Sequence, residues 1–188
     1  MSSHRPNLVI YSAVIANCIV VLVTLAIQGW SSAGSHAAAR NSARLSAMCY
    51  VIAFAAPGLV RFVRGLPSVT TLFWTWFAAH LVHFVTVGIL LLSFERPHIT
   101  RHPGQAVLVV LIGSCVVFGA ALTSASHSRM STVTHKILLY VVFGIFTLAF
   151  AHNRIPALRL LAAALALVLV LRLTAHLQSA QASATPSA

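Results

Sequence analysis

A chain of 188 residues that is 59% hydrophobic and only 7% charged cannot cover itself with polar side chains; soluble domains carry about 25% charged residues. Twelve Lys plus Arg against a single acid, Glu95, give a net charge of +11, yet these cations stand singly or in pairs at the ends of apolar segments, where headgroups attract them and their stems snorkel. No basic stripe or tail marks a nucleic-acid partner, and one carboxylate cannot supply the paired acids of glycosidase or two-metal hydrolytic chemistry.

A helix crossing ~30 Å of hydrocarbon takes about 20 residues. Six apolar segments of roughly that length follow in order: residues 8–28, 43–60, 69–94, 105–122, 134–151 and 156–176. The alternation of a membrane barrel is missing, so only helices satisfy the backbone in lipid. The expected fold class is all-α, an integral membrane six-helix bundle. It forms one transmembrane domain over residues 1–177, with a disordered Ser/Ala-rich tail at 178–188. The apolar stretch of the first segment exceeds the 7–15 residues of a signal peptide, which favours an anchoring helix. Ala37, Ala38 and Ala39 keep cleavage open as the alternative.

The connections are short. Residues 31–40 read as a small polar loop, Arg61 to Pro67 as a Gly/Pro turn, and Glu95 to Pro103 as the longest polar stretch. Asn153 to Pro156 is a tight turn with Pro at a helix start. None could house a soluble domain. With the N-terminus inside, Arg5, Arg61, Arg64, Arg129, Lys136 and Arg172 fall on one side; Arg40, Arg44, Arg96, Arg101, Arg154 and Arg159 fall on the other. Six against six leaves the positive-inside rule silent. Cys18, Cys49 and Cys115 each lie inside an apolar run without zinc-ligand spacing, and read as small buried residues.

Ten histidines in so apolar a chain carry the chemical signal. His4, His36, His98, His102 and His127 fall in polar stretches, and His176 ends the last segment. His80 and His83 lie deep in the third segment, three apart and so on roughly one face with Trp76. His135 and His152 bracket the fifth, about 25 Å apart if helical. An ionisable residue inside a membrane helix usually faces a partner, a cavity or a cofactor. Without acids or thiolates, the cofactor that suits imidazole is b-type haem, an apolar disc ligated from facing helices, its propionates held by cations near the surface. Zinc would need a tighter ligand cluster. Proton relay also suits histidine, and packing between helices is the plainest role.

Several short patterns together resemble the ferric reductase-like transmembrane domain family. Ser42-Ala43-Arg44 opens the second segment, followed by Pro57 and Arg61. Trp76-Phe-Ala-Ala-His80-Leu sits in the third, Leu122-Thr123-Ser124 closes the fourth, and Thr134-His135-Lys136 with Tyr140 starts the fifth, which His152 ends. The resemblance covers residues 41–153 and is strongest to the haem-bearing membrane subunits of bacterial periplasmic methionine sulfoxide reductase systems. It implies haem b between the third and fifth helices, and electron transfer across a bacterial-type inner (plasma) membrane by a multi-pass protein. By position it implies His80, His135 and His152 as iron ligands and Arg44 as a propionate partner. His83 is the alternative to His80. The family sets its fifth-helix histidines about 13 apart; here they are 17 apart, so one haem is expected and a second stays open. No Gly-x-Gly-x-x-Gly or Walker motif is present, so electrons would come from a separate quinone, flavin or redox partner protein. The alternative function is a small permease or structural membrane subunit without cofactor. A permease would expect midplane helix breaks and coupling acids, which this sequence lacks.

Overall fold

The computed structural model of the chain describes residues 5–59, 63–94, 136–137, 139–145, 147 and 163–174. The described residues are helical apart from two turns and their flanks. Three helices lead: α1 (Arg5–Gln28), α2 (Ser32–Leu59) and α3 (Val69–Ser93). All three are long and apolar enough to cross a membrane; Ala163–Thr174 is a shorter apolar helix, and residues 139–145 are helical too. The fourth segment, at 105–122, lies outside the described residues.

The outward faces explain the apolar composition. On α1, Leu8, Tyr11, Ile15, Ile19 and Leu22 stand exposed at helical spacing, as do Leu81, Val85, Ile89 and Leu92 on α3. In water these stripes would be untenable as a continuous patch; against acyl chains they are the matched surface. The chain is therefore an all-helical membrane protein in contact with lipid.

α2 begins well before the sequence reading placed it. Residues 31–40, read as a polar loop, form its first turns. Gly29 takes φ +78° to turn the chain, and Ser31 caps the new helix: its hydroxyl accepts the Gly34 N–H at 3.1 Å, while Ser35 N–H donates to the Ser31 carbonyl. The residues that follow are small, and Gly34, Ser35, Ala37, Ala38 and Ala39 are all buried. High alanine propensity and close helix packing make this stretch helical where hydropathy alone does not.

The register is read from side-chain contacts. Asn41 of α2 donates to Thr24 of α1 at 3.2 Å; Tyr50 of α2 meets Trp76 of α3 at 5.1 Å between rings; Trp30 after α1 meets Phe94 after α3. The three helices thus run alternately, with α1 and α3 parallel and α2 antiparallel between them. α3 starts cleanly because the Ser68 hydroxyl accepts the Thr71 N–H. The aromatic core lies toward the later half of α2. Tyr50, Phe54, Phe73 and Trp76 pack there with Leu139, Val142 and Phe143, and with Leu165 and Val168 of the Ala163–Thr174 helix. Tyr50 donates its hydroxyl proton to the Leu139 carbonyl, and Phe54 stacks on Phe143 at 4.9 Å.

Candidate functional site

Polar side chains meet at the middle of all three long helices. His80 stands eleven residues after Val69 and thirteen before Ser93; Ser46 stands fourteen after Ser32 and thirteen before Leu59; Asn17 stands twelve after Arg5 and eleven before Gln28. All three are buried. Ser46 Oγ and His80 Nδ1 are 2.7 Å apart, and Asn17 Nδ2 donates to the Ala79 carbonyl at 2.7 Å. A serine at this crossing lets the imidazole of α3 come against α2; a larger side chain there would hold the helices apart.

Aromatic rings flank His80. Phe84 meets it edge-on at 4.6 Å, Trp76 lies at 5.8 Å one turn before, and His83 at 5.3 Å almost one turn after. His83 approaches the Ala39 backbone. Around this layer several buried polar atoms have no protein partner among the described residues: Asn17 Oδ1, Ser42 Oγ, Trp76 Nε1 and His83 Nδ1. Buried polar atoms are nearly always satisfied, and the exceptions ask for an explanation. Here they gather near the middle of three helices long and apolar enough to cross a membrane, where lipid would make the cost greatest.

The chemistry follows from the pair. When His80 donates its Nδ1–H to Ser46, Nε2 is the lone-pair nitrogen, and the ring is held against rotation. That is how an outer hydrogen bond fixes the tautomer and aim of a metal-bound imidazole. Such a backed imidazole between aromatic rings is of the kind that would hold a haem iron. No group of three or more His, Cys, Asp or Glu forms among the described residues, but haem asks the protein only for one or two imidazoles.

The other site residues expected from the sequence fare differently. His135 and His152 lie outside the described residues. Arg44 donates to Asn41 Oδ1 at 3.0 Å; two positions from Ser46, it is turned about 200° round α2 from the serine that meets His80, and the structure does not bring the two together. Three residues escaped the sequence reading. Asn17 was legible as an amide in an unbroken apolar run. Ser46 was not, since a serine in such a run says nothing until its register is known. Arg172 had been counted among the end-of-segment cations that snorkel to headgroups; it is instead buried, with 6% of its surface exposed. Cys18, expected to be buried, is exposed on α1.

A cavity of about 30 Å³ lies between α1, α2 and α3 near Val21, Trp30 and Ser35. It has room for a water and not for a substrate. No family model, curated protein or solved structure matches the chain.

Proposed function

We propose that this chain is a membrane electron-transfer protein built on b-type haem, with the six-helix architecture of the ferric reductase-like family. The observation that carries the reading is the Ser46–His80 pair, buried at the middle of α2 and α3. His80 would ligate the iron through Nε2 while Ser46 holds Nδ1. His83 is the alternative ligand on α3, its Nδ1 being unsatisfied among the described residues. A second ligand would come from His135 or His152. Bound haem supplies a one-electron couple within the bilayer. The protein's part is to aim the imidazole, keep water from it with Trp76 and Phe84, and set the local charge. Lacking a nucleotide motif of its own, the chain would take electrons from a quinone, a flavin or a partner flavoprotein. It would pass them to a partner protein or small acceptor across a bacterial-type inner membrane.

The test is haem content per polypeptide in purified variants. His80→Ala should remove the haem while the chain still inserts, and His83→Ala should retain most of it. If His80→Ala keeps a full complement, the ligand assignment fails; if His83→Ala alone loses it, the iron sits on the other imidazole.

A further inference from the structure

Arg172 is a guanidinium enclosed by protein in a chain almost without acids. Its Nη1–H donates to the Phe54 carbonyl at 2.6 Å, and its Cζ lies 4.4 Å from the centre of the Phe54 ring. The bonded carbonyl has a local cause. A helical carbonyl oxygen keeps a second lone pair beyond its ladder bond, and that of Phe54, in the turn before Pro57, takes the guanidinium N–H with it. Tyr140 hydrogen-bonds the guanidinium as well, and Tyr50 lies close by. These contacts leave Nε–H buried with no partner, and the positive charge without an acidic counter-ion, among the described residues.

The described residues hold no acidic side chain that could be that counter-ion. Ser46 faces His80 and Tyr50 faces Trp76, so Phe54 stands opposite Leu72, at the start of α3. The chain's one acidic residue, Glu95, lies outside the described residues; Phe94, next before it in sequence, stands at the other end of α3. The twenty-two residues from Leu72 to Phe94 separate those two levels by about 33 Å at 1.5 Å per residue. A lipid headgroup is excluded on the other side, because only 6% of Arg172 is exposed.

We propose that Arg172, with Tyr50 and Tyr140, forms an interior site for the carboxylate of an otherwise apolar ligand. The Nε–H and a second guanidinium N–H make the planar fork that grips a carboxylate. Phe54, Phe143 and Val168 supply the apolar wall. Two sources carry that chemistry: a haem propionate, which rests on the reading above, and a free fatty acid, which does not.

The experiment extracts the full-length protein in mild detergent and quantifies bound haem and bound fatty acid per chain, for the wild type and for Arg172→Leu and Arg172→Lys. Should the haem be the source, wild type carries it and Arg172→Leu loses most of it, or its reduction midpoint shifts, while Arg172→Lys holds it more weakly. Should the source be a fatty acid, wild type carries near-stoichiometric acid that Arg172→Leu lacks, whatever the haem content. Where Arg172→Leu fails to insert, Arg172→Lys decides, since it keeps the charge and loses the fork; ligand retention equal to wild type overturns the proposal. A wild type with neither carboxylate overturns it too, as does phospholipid alone being lost on substitution. Wild type without haem but with Arg172-dependent fatty acid sinks the haem reading and leaves this site standing.

Discussion

Ser46 and Asn17 show how much a small polar group matters at the centre of a membrane helix. Neither would be notable in a soluble core, but here each hydrogen-bonds the middle of α3 from a neighbouring helix. Ser46→Ala removes the hydrogen bond to the imidazole and should weaken haem retention by about 10–100-fold, the usual cost of losing an outer hydrogen bond to a metal ligand; haem transfer to an apo-protein acceptor measures it. Asn17→Leu removes the bond to the Ala79 carbonyl and should cost about 0.6 kcal/mol, up to ~1.7, in line with interhelical hydrogen bonds in membranes. Reversible unfolding in mixed micelles checks this; no loss of stability would mean that the amide is held there for something other than packing. His80 and His83 were readable from the sequence because histidine is rare in an apolar run. Ser46, Asn17 and Arg172 act through register, which a one-dimensional pattern does not carry.

At the scale of the helix, hydropathy located what lipid dictates and missed what packing dictates. α1 ends and α3 begins where their apolar runs do, since Gly29 and Ser68 mark those boundaries chemically. The first turns of α2 were invisible because Ser32, Gly34, Ser35 and the three alanines are neither apolar enough for a span nor marked as a helix. Their small size is the signal that hydropathy discards: it lets α2 lie close to both neighbours. Gly58 works similarly at the other end, where a Cβ would stand 3.0 Å from the Leu171 carbonyl. Gly58→Val should therefore push the Ala163–Thr174 helix from α2 and destabilise the protein by about 1–3 kcal/mol, as overpacking does. A Tm shift in detergent reads the effect. Gly29→Ala meets no side chain or backbone but must adopt the left-handed conformation, at a cost of about 1–2 kcal/mol.

Taken whole, the molecule turns its apolar stripes outward and keeps its polar layer and buried arginine within. Lipid contact is thus a property of surface rather than of composition alone. An acid on the lipid face tests this: Ile19→Asp should raise the apparent insertion free energy of α1 by about 3 kcal/mol, and a glycosylation-mapping assay reports it. The all-helical class was legible from segment length and from the lack of strand alternation. The identity of any cofactor was not, because one buried imidazole and its serine also suit a proton relay. The most direct test of the central claim is the dithionite-reduced minus air-oxidised visible spectrum of the detergent-purified protein, expressed with ample haem. A sharp b-type α band on reduction, lost in His80→Ala, is the result predicted here; a flat spectrum would contradict it and leave a permease or a structural membrane subunit as the better account.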